Sequence, residues 1–318
     1  MRALVTGGAG FIGSHLCDRL LAAGHTVVCV DNFITGSRRN LESLTGNPRF
    51  ELFERDVVDA FDAEADLIFH LASPASPKGY GRHPLETAMT NSLGTVNLLE
   101  LARRKGARFL LVSTSEIYGE PTVHPQTEDY WGNVNSLGPR ACYDESKRFA
   151  EAVSMIFVRE HRLDLRIVRL FNTYGPRMDP EDGRIVPTFI VQALANEPMS
   201  VFGDGSQTRS LCYVDDLVNG LERVMFAEGQ SGQVFNLGNP DEHTVLEYAR
   251  LIRDLCGSRS EIVFGDLPED DPSRRRPDIS KAERLLGWRP NIPLEEGLRQ
   301  TIAWLRTVGP GSRVATRA

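Results

Sequence analysis

Residues 3–13 read Ala-Leu-Val-Thr-Gly-Gly-Ala-Gly-Phe-Ile-Gly, and few folds can hold that order. Ala3–Thr6 is a short run of the buried-strand type. Gly7, Gly10 and Gly13 follow at G-x-x-G-x-x-G spacing, and a helical pattern then runs to about Ala23 and stops at Gly24. Gly7 permits a tight turn, Gly10 lets the backbone approach a pyrophosphate, and Gly13 lets the helix pack closely on the strand. Taken alone, the motif also fits a strand–turn–helix that merely favours glycine. Two later features argue against that. A second strand, Thr26 to Val30, ends at Asp31, the place where an acid takes the ribose hydroxyls of a dinucleotide. Its charge repels a 2′-phosphate, which favours NAD over NADP. A third strand, Phe50 to Glu54, leads to Asp56 and Val57, positioned for an adenine. The expected cofactor contacts are therefore Gly7, Gly10, Phe11, Ile12, Gly13, Asp31, Asn32, Asp56 and Val57, continued by the strand-end residues Leu71, Ala72 and Ser73. Arg38 and Arg39 read as a solvated helix start.

A fourth strand, Ala65 to His70, ends at Leu71-Ala72-Ser73, and His70 reads as a satisfied structural histidine. Ser73–Pro84 is rich in Pro, Gly and Ser and reads as a loop. A helix from Leu85 to Lys105 follows, apolar around much of its circumference, so it wants a second surface. The fifth strand, Phe109 to Ser113, stops at Thr114-Ser115-Glu116. Such alternation predicts an α/β fold, a doubly wound parallel sheet of the Rossmann type, with the ligand off the carboxyl ends of the strands. Gly7, Asp31, Ala72 and Thr114 all fall at that edge. The expected first domain takes residues 1–171 and about 210–238. A smaller C-terminal α/β substrate domain takes about 172–209 and 239–308, and 309–318 reads as a disordered tail.

Tyr143 and Lys147, four apart, share one face of the next helix. A phenol with pKa ~10 becomes a usable base when a nearby positive charge favours the phenolate. The formal net charge of −7 gives no general pull toward nucleic acid or anionic membrane. Five dispersed cysteines without C-x-x-C spacing read as reduced thiols in a cytoplasmic setting, not as a disulfide framework or zinc site, and no metal is expected. No apolar run nears the roughly 18 residues of a membrane span.

Thr6–Gly13, Asp31 and Tyr143-x-x-x-Lys147 after a strand-end Ser/Thr resemble an extended short-chain dehydrogenase/reductase. Within that family the chain is similar to the UDP-glucuronate decarboxylases, the UDP-xylose synthases. The similarity is carried by Ser73–Pro77, Ser113–Gly119, Tyr130–Asn135, Gly138-Pro139-Arg140, Phe171–Met178, Gly203–Arg209 and Pro268–Pro272 through Asp278. It implies NAD as cofactor, UDP-glucuronate as substrate and a homodimer built through a four-helix bundle. It implies Tyr143 taking the C4 hydroxyl proton, Lys147 binding the nicotinamide ribose and keeping Tyr143 acidic, and Asn172, Arg209 and Arg275 reaching the substrate.

The triplet separates neighbouring chemistries. Dehydratases of this type place two acids after the Thr, and 4-epimerases place small residues at both positions. Here Ser115 replaces the first acid and Glu116 remains. That pair fits decarboxylation, in which C4 oxidation makes a β-keto acid. Thr114 and Tyr143 then steady the enolate oxygen, and C5 is reprotonated by Ser115 or by water held at Glu116. Competing readings are a UDP-sugar 4-epimerase and an NAD-binding redox sensor. In the last third, Arg274-Arg275-Arg276 follow an acidic run, Glu269-Asp270-Asp271, and guanidinium forks suit phosphate or carboxylate. Val201-Phe202-Gly203 offers a surface to uracil, and Trp288 reads as packing.

Overall fold

The computed structural model describes residues 1–267 and 274–308. In chain order its elements are β1 (Arg2–Thr6), α1 (Phe11–Ala22), β2 (Thr26–Asp31), β3 (Phe50–Glu54), β4 (Leu67–His70), α2 (Pro77–Arg82), α3 (Pro84–Met89), α4 (Thr95–Lys105), β5 (Arg108–Thr114), α5 (Ala141–His161), β6 (Leu165–Leu170), β7 (Thr173–Tyr174), α6 (Ile185–Ala195), β8 (Met199–Phe202), β9 (Thr208–Ser210), β10 (Cys212–Tyr213), α7 (Val214–Phe226), β11 (Val234–Leu237), β12 (Glu242–Thr244), α8 (Val245–Cys256), β13 (Ile262–Gly265), α9 (Ser280–Leu286) and α10 (Leu294–Val308).

Seven strands form one parallel sheet in the order β11-β6-β5-β4-β1-β2-β3. Strand order runs outward from β1 in both directions, so the crevice beyond β1 and β4 is the topological switch point where α/β sheets bind ligands. Both faces are buried, as a parallel sheet requires. Alternate side chains go to opposite layers: Leu4, Ile68, Phe109 and Ile167 pack with α4 and α5, while Val5, Phe69, Leu110 and Val168 pack with α1 and α7. Beyond β6 the chain leaves the sheet. It returns through β10, α7 and β11, and β11 takes the sheet edge beside β6. The parallel pair β8–β13 and the antiparallel pair β9–β12 lie outside the sheet with α6, α8 and α10. α8 opens with a capping box, Thr244 and Glu247 satisfying each other's backbone N–H groups.

One expectation changes. Ser73–Pro84 is not all loop, because Ser76 Oγ accepts from Gly79 N at 3.1 Å and Pro77 opens α2. A Ser N-cap followed by Pro is a helix start even inside a Pro/Gly-rich stretch. The helix expected over 85–105 is present without a break, and a π-turn at Thr90–Gly94 joins α3 to α4 within it. There Asn91 Nδ2 donates to Ser146 Oγ on α5 at 3.0 Å, and Gly94 passes close to Val57. Glu269-Asp270-Asp271 and the tail 309–318 lie outside the described residues.

Candidate active site

The glycine turn is built by close backbone approach. Gly7 sits at φ +70°, and a Cβ there would lie 2.8 Å from Ala72 N. A Cβ on Gly13 would lie 2.1 Å from Gly7 O, so only glycine lets α1 start this close to β1. α1 has no side-chain cap and no acid in its first turn, which leaves its N–H groups and the positive end of its dipole for an anion. Asp31, buried at the end of β2, accepts from Ala9 N at 2.9 Å and from Phe33 N at 2.8 Å. Burial pushes its carboxyl up, and those two N–H groups oppose the shift. Asn32 Nδ2 donates to Asp56 at 2.9 Å, and Val57 is buried beside them. Leu71 N and Ala72 N donate to Thr6, tying the strand-end segment to β1. A cradle with an open helix N-terminus and a fixed acid at the β2 end fits NAD, with Phe11, Ile12 and Ser73 on its rim.

His70 is structural, as its sequence position implied. Its ring nitrogens pair with Thr6 Oγ1 at 2.8 Å and Thr95 Oγ1 at 3.1 Å, and burial holds it neutral, pushed down to about 3.

β5 ends in the triplet. Thr114 Oγ1 accepts from Glu116 N at 3.1 Å, and the Thr114 side chain lies close enough to Tyr143 to favour its phenolate. Ser115 is buried next to them. The Tyr143–Lys147 pair is present, with both side chains buried. Lys147 Nζ donates to Val112 O at 2.9 Å and lies 5.9 Å from the Tyr143 ring centre. Burial pushes the phenol of Tyr143 up. Thr114 and the charge of Arg184 oppose that shift. Lys147 itself is pushed down to about 8 by burial, against the pull of Glu151. Tyr80 of α2 stacks on Tyr143 with ring centres 5.3 Å apart.

Glu116 is not a solvated strand-end acid. One oxygen accepts from Arg140 and the other from Arg275, which reaches it from the C-terminal segment. Burial pushes its carboxyl up, but the two guanidiniums outweigh that and hold it below the usual range. Arg275 is buried, and its Nη2 has no hydrogen-bond partner among the described residues. Arg140 Nε also stands 3.9 Å from Asp144. Asn172 follows β6, and its carbonyl accepts from Cys212 N. Arg209 is buried in β9 and donates to Thr208 O. Trp288 is packing: it is buried, and Nε1 donates to Asp216 O. Arg140, Asp144, Tyr80 and Arg184 were not singled out from sequence as site residues. The i,i+4 spacing of Arg140 and Asp144, three residues before Tyr143 and one after it, was the available signal.

A model of the NAD dependent epimerase/dehydratase family matches residues 3–238. A UDP-glucuronic acid decarboxylase 1 from Danio rerio is 56% identical over 303 residues, which are 95% of this chain and 72% of that protein. Among solved structures, a UDP-glucose 4-epimerase from Thermotoga maritima with UDP-glucose superposes with a TM-score of 0.87 at 34% identity, covering 97% of this chain and 99% of that one. A UDP-glucuronic acid 4-epimerase from Bacillus cereus, in complex with UDP-glucuronic acid and NAD, superposes with a TM-score of 0.88 at 29% identity, covering 97% and 100%.

Proposed function

The chain belongs to the NAD dependent epimerase/dehydratase family, and from that premise we propose that it converts UDP-glucuronate to UDP-xylose and carbon dioxide. The observation that carries this reading is Glu116, retained after Ser115 at the end of β5 and held between Arg140 and Arg275. The relative with a decarboxylase name is 56% identical, against 34% and 29% for the two epimerases. A 4-epimerase acting on a UDP sugar has the same first step and is the nearest rival. A redox sensor of this fold has no need of the buried Tyr143, Lys147 and Thr114.

The glycine turn, Asp31 and Lys147 would hold NAD, which would supply a hydride acceptor for C4 and a hydride donor at the end of the cycle. Tyr143 Oη takes the C4 hydroxyl proton. The resulting 4-keto sugar is a β-keto acid, so carbon dioxide leaves with its electrons flowing into the C4 carbonyl. Tyr143 and Thr114 donate to the oxygen on which charge develops, and donors placed in advance in a dry site are worth most there. Arg275 Nη2 has no hydrogen-bond partner among the described residues and suits the substrate's anion. Asn172 and Arg209 are assigned to the sugar and the diphosphate. The half-exposed ring of Phe202 is assigned to the uracil face.

A homodimer accompanies this reading. Leu85, Leu93, Phe149 and Ile156 are 70, 40, 48 and 41% exposed on the packed helices α3 and α5 and the π-turn between α3 and α4. Large apolar side chains gathered there support a four-helix contact with a second copy. The five free cysteines support a reducing, cytoplasmic setting.

The test is Glu116→Gln assayed with UDP-glucuronate and NAD. Carbon dioxide release falls by 10²-fold or more, while the reduced-nicotinamide signal from the first half-reaction falls less. Equal loss of both removes Glu116 from the decarboxylation step.

A further inference from the structure

Decarboxylation consumes a proton. The C5–carboxylate bond breaks, its electron pair passes into C4=O, and C5 must then form a bond to hydrogen. The substrate brings in a carboxylate and the product leaves without one, so the site gains one proton from solvent per turnover. The triplet itself holds no obvious store for that proton. Glu116 is kept ionised by two guanidiniums, and Ser115 is a hydroxyl with an ordinary alcohol's reluctance to give up a proton.

A second carboxylate stands one guanidinium away. Arg140 donates to Glu116 and also places Nε 3.9 Å from Asp144 Oδ2. Asp144 is 6% exposed, and its Oδ1 is buried without a hydrogen-bond partner among the described residues. A buried carboxylate with an open oxygen is costly when ionised and well suited to carry a proton. The charged and titratable groups facing it are Glu116 after β5, Arg140 and Glu145 on its own stretch, and Arg275 from the C-terminal segment. Tyr80 of α2, Tyr143 and Cys142 also feel its charge. Burial first, and then the charge of Glu116, push its carboxyl up to about 7.

The cluster's charge gives Asp144 its role. Glu116 and Asp144 already share the guanidiniums of Arg140 and Arg275, with the charge of Glu145 close by. A substrate carboxylate arriving at Arg275 adds one negative charge beside them, and a proton on Asp144 offsets it. When carbon dioxide leaves and C5 takes the proton, the added charge is gone and Asp144 is again ionised. Resting on the decarboxylase reading, we propose that Asp144 is a positioning residue that takes up, on substrate binding, the proton later consumed at C5.

Proton uptake can be read without turnover. The NAD-bound Tyr143→Phe variant is titrated with UDP-glucuronate by calorimetry in two buffers of different ionisation enthalpy. Uptake of between about one half and one proton per site is expected above pH 7, where the free Asp144 carboxyl is largely ionised. It fades below pH 7, where Asp144 already carries the proton. UDP-xylose, lacking the carboxylate, gives none. Adding Asp144→Asn to the same background abolishes the uptake while UDP-glucuronate still binds. Uptake unchanged in the double variant, or absent at every pH from about 7 to 9, overturns the proposal. If the double variant does not fold, the pH dependence and the contrast with UDP-xylose still decide it. A wild-type product of unchanged mass instead defeats the decarboxylase reading, and that outcome is separate from the proton count.

Discussion

At Glu116, burial and charge pull in opposite directions, and the two guanidiniums prevail. The same contest has another result at Tyr143, where burial dominates and the Lys147 ammonium is turned to Val112 O. On the proposed assignment of the C4 proton to Tyr143, Tyr143→Phe removes that group without disturbing the glycine turn. Turnover falls by 10²–10⁴-fold or more while NAD binding, followed by fluorescence quenching, is retained. Loss of NAD binding with turnover contradicts that assignment. At this scale the place of the triplet was legible, because the apolar run of β5 stops where Thr114, Ser115 and Glu116 begin. Arg140 was quoted from sequence only as part of a family segment, and Asp144 was passed over. Their meaning comes from Arg275, 135 positions beyond Arg140 in the chain, closing on Glu116. The direction of the Lys147 ammonium, turned to Val112 O, was not legible, because a spacing of four places two side chains on one face but does not say where a flexible ammonium points.

Among the elements, α1 carries the tightest constraint. Gly13→Ala puts a Cβ against Gly7 O at 2.1 Å, with backbone on both sides. The expected loss is about 1–3 kcal/mol of stability, read in a thermal melt, together with weakened NAD binding; a variant with unchanged melting and binding contradicts the packing account. β4 carries a pH signature. His70 is neutral when folded, pushed down to about 3 from 6.5. The unfolded chain takes up its proton first, so this contribution is intact above pH 6.5 and is lost as pH falls toward 3. The loss is at most about 1.4 kcal/mol per pH unit. Denaturant midpoints across that window should fall less steeply for His70→Gln, and parallel slopes contradict the assignment. The sheet strands were readable because buried parallel strands are short apolar runs between breakers. The π-turn at Thr90–Gly94 was not, since nothing local marks it. It follows from Asn91 reaching Ser146 and from Gly94 fitting against Val57.

For the whole molecule, strand alternation and the switch point were legible because topology follows from chain order and crossover handedness. The placement of the C-terminal segment over β5 was not, since it depends on contacts such as Arg276 N to Gln126 Oε1 that no periodicity encodes. The exposed apolar face of α3 and α5 leads to a further expectation. Phe149→Asp, placing a charge at that face, should halve the sedimentation mass if a homodimer forms there, and a wild-type mass near one chain contradicts the dimer. The central claim is the fate of the substrate's carboxylate. Incubation with UDP-glucuronate and NAD, followed by mass spectrometry of the nucleotide sugar, tests it directly. The account predicts a product lighter by one carbon dioxide and matching UDP-xylose; a product of unchanged mass with a new retention time, the signature of an epimerase, would contradict it.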